Sequence, residues 1–150
     1  MITTRTQADV DNAVKIRSEK VQAFQELTED DKQRLEKGLI TYNTLNRIED
    51  KQNELKQVLN SMGYWNTPIV TKQWDGTMIF SEDERTRLFH NDEILRQAFF
   101  TYADTPSTPS PSYYWQDWND VEKILVDIEK MIKDVKEHYK ECGTFECGEE

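Results

Sequence analysis

The sequence feature that most constrains the fold is a run of mostly nonpolar residues spaced three and four positions apart. The run extends from Leu45 to Met62, and Gly63 follows it directly. Residues at this spacing lie on one side of an α-helix, and a glycine after the last turn is a common helix end. We therefore predict an amphipathic helix, whose stripe consists of Leu45, Ile48, Gln52, Leu55, Leu59 and Met62.

Such a stripe must be covered, and the sequence allows two ways to cover it. In the first, the helix packs against neighbouring helices of the same chain. In the second, the stripe forms a seam between identical chains, with the polar Gln52 helping to set the register. Both alternatives require the same spacing, so the sequence leaves them open.

Two helices are predicted before this stripe. From Thr6 to Phe24, apolar residues again recur at three and four positions, which indicates a first amphipathic helix. Thr28 is then followed by three acids, and a hydroxyl before acidic residues is typical of a helix start. This second helix is short, because Gly38 is expected to end it.

Two helices are also predicted after the stripe. Ser81 and Glu84 have the spacing of a capping box, in which each side chain bonds to the backbone of the other residue. A fourth helix is therefore expected to start at Ser81. The last helix is predicted to begin between Trp115 and Asn119 and to run to about Tyr139, with a broad apolar face.

The connecting segments differ in character. Residues 64–80 break the helical period and contain Pro68, so they predict a loop with at most one short strand. Residues 104–112 hold three prolines and predict a stiff, extended connector that crosses some distance. The tail 144–150 is too short to form a strand alone, although it could add to a sheet edge of another chain.

These elements predict a mainly α fold, a small bundle of four to five helices with a tryptophan-containing loop. We divide the chain into an N-terminal helical arm, 1–40, a helical core domain, 41–143, and a C-terminal tail, 144–150. The proline-rich connector lies within the core domain. At 150 residues there is room for a single hydrophobic core.

Charge excludes several classes of function. The formal net charge is −10, and residues 101–150 carry 5 Lys and Arg against 12 Asp and Glu. An acidic surface repels phosphates, so we predict that the chain binds neither nucleic acid nor anionic membranes. No apolar run is long enough to span a bilayer, and two cysteines do not make a disulfide framework, so synthesis inside a cell is expected.

The sequence offers little catalytic chemistry. Its two histidines, His90 and His138, lie in no metalloprotease motif, phosphate loop or nucleophile elbow. His138, Cys142 and Cys147 lack the paired close spacing and the fourth ligand of a structural zinc site, and the two cysteines are either plain thiols or a disulfide. We therefore predict no enzyme, no cofactor and no metal.

Aromatic residues are concentrated beside the proline-rich connector. Five rings lie between Tyr102 and Trp118, more than the capping of one helix requires. They pack either on the chain's own helices or on another protein, since Tyr and Trp are enriched as anchors of protein interfaces. The predicted protein-contact residues are Tyr113, Tyr114, Trp115 and Trp118, together with Phe145 in the tail.

Several segments, in order along the chain, carry a family resemblance. They are RTQADV (5–10), YNTLNRIE (42–49), GY (63–64), two TP pairs (105–106 and 108–109), NDVEKIL (119–125) and GTFECGE (143–149). With these segments the chain resembles a family of small proteins or modules encoded in the tail-structure regions of phages and prophages of Gram-positive gut bacteria.

The resemblance implies a virion structural component near the distal tail, baseplate or tail fibres, because none of these segments is catalytic. It implies a protein made in the host cytoplasm that assembles with neighbouring tail proteins and with copies of itself, as a trimer or a larger symmetric assembly. Lacking a β-rich adhesive domain, the chain would serve as an adaptor or attachment piece. The alternative is a soluble acidic helical regulator that binds a single protein partner.

Overall fold

The computed structural model describes residues 1–64 and 68–141, and its regular structure is helical. This confirms the predicted mainly α class, and the described residues contain no strand, so segment 68–80 is a loop. The helices are α1 (Gln7–Ile16), which a π-helical turn (Arg17–Val21) continues, α2 (Glu29–Gly38), α3 (Tyr42–Ser61), α4 (Glu82–Ala98) and α5 (Trp115–Glu141).

Hydroxyl side chains determine where the first four α-helices begin. Thr6, Thr28 and Thr41 each accept a hydrogen bond from the backbone N–H three residues later, and each is part of a complete capping box. Ser81 likewise accepts from the N–H of Glu84. These bonds satisfy donors that an uncapped helix end would leave without partners, so the starts of α2 and α4 lie where the sequence predicts them.

Helices α3, α4 and α5 pack against one another and run in the same direction. Along each contact, the residue numbers rise together on both helices. The defining pairs are Arg47–Glu122 and Lys51–Glu129 between α3 and α5, and Glu49–Arg87 and Gln52–Asp92 between α3 and α4. Parallel neighbours cannot be joined by a short turn, so the chain must return along the full bundle twice.

The first return is the segment between α3 and α4, which runs alongside α3. Asn46 bonds to the backbone of Trp74, whereas Lys56, nearly three turns later, donates to the carbonyl of Ile69 at 3.2 Å. The segment therefore runs antiparallel to the helix. A 20-residue helix is about 30 Å long, which roughly ten extended residues can span, and this explains why a short irregular segment suffices.

The second return is the proline-rich connector, which precedes α5 in the sequence and runs alongside it. Tyr102 donates to Asp134 near the far end of the helix, and Thr105 donates to Asp127 at 2.8 Å. At the near end, the indole N–H of Trp118 donates to the carbonyl of Ser112 at 2.9 Å. The connector thus covers the distance that the prolines predicted, and it is anchored along its length by side-chain hydrogen bonds.

The apolar stripe of α3 faces the core of its own chain. Leu45, Ile48, Gln52, Leu55 and Leu59 are buried against α4 and α5, and Met62 packs at the edge of the same core. Intramolecular packing is therefore the correct alternative. The predicted seam between identical chains is wrong for these residues, because their side chains are already covered by the parallel neighbours.

Helices α1 and α2 form a separate hairpin, which packs mainly on itself. Ionic contacts help attach it to the bundle: Arg5, just before α1, donates to Glu122 of α5 at 2.6 Å, and Arg47 of α3 donates to Glu36 of α2 at 2.9 Å. Of the apolar stripe predicted from Thr6 to Phe24, only Ala13 is buried. The rest of that stripe is partly or wholly exposed.

Candidate protein-docking groove

An open groove separates the N-terminal hairpin from the bundle. Its cavity volume is about 640 Å³, within the range of cavities that enclose drug-sized ligands. Residues from α1, from the α2–α3 junction and from the start of α5 line it, and most of the exposed lining is apolar. We call it the aromatic groove. Its lining residues are Arg5, Gln7, Val10, Arg17, Gly38, Leu39, Ile40, Thr41, Phe80, Tyr113, Tyr114 and Trp115.

The end of the proline-rich connector places three aromatic side chains in this groove. The backbone N–H of Tyr114 donates to the hydroxyl of Ser112 at 3.1 Å, and this bond helps shape the turn into α5. The indole N–H of Trp115 donates to Gln7 at 3.2 Å, which ties α5 to α1 across the groove. Tyr113 and Tyr114 remain 60% and 73% exposed, so both rings are available to a partner.

A chain of edge-to-face aromatic contacts connects the groove with the core. Phe89 lies against Trp118 with ring centroids 5.3 Å apart, Trp118 lies 6.0 Å from Phe80, and Phe80 lies 6.4 Å from Tyr113. The guanidinium of Arg85 stacks over Tyr113 at 4.1 Å from its centroid. Such contacts hold Tyr113 on a rigid base although most of its surface faces solvent.

Trp118 was predicted to contact another protein, and that prediction is wrong. The side chain is 0% exposed and fills the core between Phe80 and Phe89. Trp118 is the first buried residue of α5, whereas Trp115, three residues earlier, is half-buried and borders the groove. Of the predicted contact residues, Tyr113, Tyr114 and Trp115 come together in the groove, and Phe145 lies outside the described residues.

The groove is positively charged in an acidic molecule. Among the described residues, the charged ones that line it are Arg5 and Arg17. Arg5 is buried and neutralised by Glu122, whereas Arg17 is exposed and forms no ion pair within the described chain. Because no carboxylate of residues 1–64 and 68–138 lines the cavity while the whole chain carries −10, the groove favours an apolar segment that brings a negative charge.

The groove lining is chemically simple. The lining residues in the described part of the chain include no His, Cys, Asp or Glu, so they provide no Cys–His pair and no pair of carboxylates. Across residues 1–64 and 68–141, no group of three or more His, Cys, Asp or Glu side chains could hold a metal ion. Cys142 and Cys147 lie outside this range. Exposed aromatic rings beside a few hydrogen-bonding groups are instead typical of a protein interface.

A cluster of buried polar side chains lies between α3 and α4, and its role is structural. The amide of Gln52 donates to the carbonyl of Leu88 at 2.9 Å and to Asp92 at 2.8 Å, and Asn91 donates to the Gln52 oxygen at 3.2 Å. Burial raises the pKa of Asp92 well above its ordinary value, despite the hydrogen bond from Gln52. The cluster is sealed from solvent, so Gln52 aligns helices within one chain and not between copies.

Several groove residues are missing from the sequence-based prediction. Phe80 and Ile40 lie in connections without helical or strand period, so no pattern marked them as neighbours of Tyr113. Val10 and Arg17 lie in the apolar stripe of the first predicted helix, and the sequence does not indicate what that stripe contacts. Only the fold shows that this stripe borders the groove, because it depends on how the hairpin meets the bundle.

No known protein family, curated protein or solved structure gives a significant match to this chain. Within the described residues, none of the helices combines the length and the apolar character that crossing a membrane requires. The proposed function is therefore based on the geometry of the groove and on the sequence resemblance.

Proposed function

We propose that this chain is a non-catalytic structural component of a phage tail or phage-tail-like particle, and that it attaches to other protein chains of the particle through the aromatic groove. The single observation that supports docking is a pair of exposed neighbouring rings, Tyr113, which rests on Phe80, and Tyr114. The placement in a tail, baseplate or fibre comes from the sequence resemblance, as an adaptor or attachment piece.

The chemistry of the groove favours a protein over other ligands. A small polar metabolite needs several convergent hydrogen-bonding groups, and the groove offers mainly ring faces and one unpaired arginine. A nucleic acid would be repelled by the net charge of −10. An aromatic or aliphatic side chain of another protein would bury the rings and displace water from them, and this burial provides the free energy of docking.

The test is the double variant Tyr113→Ala, Tyr114→Ala in particles purified from a bacterial culture that carries the gene. Because both side chains are largely exposed, we expect unchanged helicity and a loss of incorporation of tenfold or more, which corresponds to about 1.4 kcal/mol. Incorporation is measured by quantitative mass spectrometry against the major tail protein. Phe100→Ala is the matched control, since Phe100 is also exposed but does not line the groove.

A photo-crosslinking residue at position 114 identifies the partner directly. Crosslinks to tail, baseplate or fibre proteins are expected. Normal incorporation of the double variant would contradict docking through the groove. Recovery of the chain outside particles, in a one-to-one complex with one soluble protein, would instead favour the regulator alternative.

A further inference from the structure

The tip of the N-terminal hairpin presents an unusual side chain. Phe24 is 97% exposed, and its backbone has a φ of 55°, in the left-handed region that bulky residues rarely adopt. The π-helical turn Arg17–Val21 ends three residues before it. Single π-helical turns and strained backbone both occur preferentially at functional sites, so the two features together mark the tip as a surface to explain.

Local bonds hold the tip in this shape. The N–H of Phe24 donates to the carbonyl of Val21 at 3.2 Å, and the N–H of Gln25 donates to that of Lys20 at 2.9 Å. Lys20 also pairs with Asp31 at 2.6 Å, which closes the loop between α1 and α2. These bonds fix the backbone so that the phenyl ring projects into solvent, almost uncovered by the described part of its own chain.

The aromatic groove offers what this ring lacks. It is open and mostly apolar, and it is lined by the rings of Phe80, Tyr113 and Tyr114. Phe24 does not fill the groove of its own chain, since it is almost fully exposed. Because Phe24 does not reach the groove of its own chain, contact between two copies of the chain would bury both the phenyl ring and the groove lining.

The charges of the hairpin tip and of the groove are also complementary. Glu26, two residues after Phe24, is exposed and forms no ion pair within the described chain. Arg17, at the border of the groove, is the one exposed charge among the described lining residues, and it has no ion pair with any of them. A tip that enters the groove would bring the carboxylate of Glu26 toward the guanidinium of Arg17, while its phenyl ring meets the aromatic lining.

We infer that the tip of one copy, Phe24 with Glu26, inserts into the aromatic groove of a second copy. The inference rests on the proposed function, because it takes the groove as the docking site, and it deepens it by naming a second copy as one occupant. The two surfaces of such a contact are different, so it is head-to-tail. Repeated around an axis it closes a ring, and without closure it builds a filament.

The experiment is complementation between two variants of the purified full chain, followed by sedimentation velocity over a concentration series. The Phe24→Ala variant has a defective tip and an intact groove. The Arg17→Glu variant has an intact tip, but the new carboxylate in its groove repels Glu26 of an incoming tip. Each alone is expected to self-associate at least tenfold more weakly than the unchanged chain. Mixed in equal amounts, they should form dimers and nothing larger, since only one intact contact can form per pair.

Charge exchange supplies the second arm. The double variant Arg17→Glu, Glu26→Arg restores opposite charges across the contact, and we expect it to recover the self-association that each single change loses. Phe100→Ala serves as the control for an exposed phenylalanine away from the contact, and no change is expected. Circular dichroism of every variant verifies that the helices are retained.

Several outcomes would overturn the inference: an unchanged chain that stays monomeric, a Phe24→Ala variant that associates normally, or a mixture without dimers. Loss of association in Phe145→Ala alone would assign the groove to the tail. These outcomes are separate from the proposed function, which fails if Tyr113→Ala, Tyr114→Ala enters particles normally. Failed incorporation of that variant, with unchanged self-association of Phe24→Ala, would keep the docking groove and assign its occupant to another protein.

Discussion

At the scale of single residues, Asp92 combines an ionisable group with the middle of a hydrophobic core. Its side chain is fully buried, one carboxyl oxygen accepts from Gln52, and the other has no hydrogen-bond partner among the described residues. Burial raises the pKa of Asp92, and the nearby charge of Glu122 adds to this. A neutral, protonated Asp92 can donate a hydrogen bond, whereas the ionised form leaves a charge in the core without a cation.

Asp92→Asn is therefore predicted to change how stability depends on pH. Below the pKa of the unfolded chain, near 4, both states are protonated and the variant should match the parent. As pH rises, the parent alone loses stability, by about 1.4 kcal/mol for each pH unit over which the folded protein holds the proton and the unfolded chain does not. The advantage of the variant should thus grow from pH 4 toward neutrality.

Urea unfolding at a series of pH values measures this difference. Asp104→Asn is the control, because Asp104 is exposed and its replacement reports the general effect of removing one negative charge from a chain of net charge −10. Parallel stability curves for Asp92→Asn and the parent would show that Asp92 is ionised in the folded protein.

At the scale of elements, the close approach of α1 and α2 depends on Gly38. A Cβ atom at this position would lie 2.2 Å from the carbonyl oxygen of Asp9 and 2.4 Å from the Cβ of Ala13. Both distances are far shorter than side-chain contacts allow. The sequence marked Gly38 only as a helix end, but the structure shows that its missing side chain also lets the two helices touch.

The variant Gly38→Ala distinguishes these two roles. Helix propensity alone favours alanine by up to about 1 kcal/mol, whereas the clash with the backbone of α1 should cost about 1–3 kcal/mol. We expect net destabilisation in thermal or urea unfolding. Gly76→Ala is the matched control, since nothing lies within 4 Å of its Cβ position, and it should be neutral or slightly stabilising. A stabilised Gly38→Ala variant would contradict the close packing of the hairpin.

At the scale of the whole molecule, one buried carboxylate joins the hairpin to the bundle. Glu122 of α5 is 0% exposed and accepts hydrogen bonds from the backbone of Ile2 and from the guanidinium groups of Arg5 and Arg47. Burial alone would lower the pKa of Arg47, but its bonds to Glu122 and Glu36 outweigh this and raise it. The contact thus gathers the N-terminus, α3 and α5 at one point beside the groove.

Glu122→Gln should loosen this junction. Removing one partner of a buried ion pair typically costs about 3–5 kcal/mol, because the other charges stay buried without compensation. Hydrogen exchange is expected to show faster exchange in α1 and α2, with a smaller effect in α3 to α5, since the hairpin has few other contacts with the bundle.

Glu129→Gln on the same helix provides the comparison. Its pairs with Lys51 and Lys133 are partly exposed, so about 0–1 kcal/mol is expected. Equal acceleration of exchange in all five helices of Glu122→Gln would mean that the carboxylate stabilises the whole fold and not the junction.

Local chemistry in the sequence determined the positions of the helices. Caps at Thr28 and Ser81 and the spacing of three and four residues act between neighbours in the chain, so they can be read without knowledge of the fold. The proline-rich connector was predicted for the same reason, because a proline restricts its own backbone and that of the residue before it. The acidic net charge likewise follows from composition alone.

Only the tertiary structure decided which apolar surfaces are covered. Trp115 and Trp118 lie three positions apart and are chemically identical, yet the first borders the groove and the second fills the core. The stripe of α3 was equally suited to packing inside one chain or between chains, and the parallel arrangement of three helices selects the first. Such choices depend on contacts between residues far apart in the sequence, and the spacing within one helix carries no information about which surface it will meet.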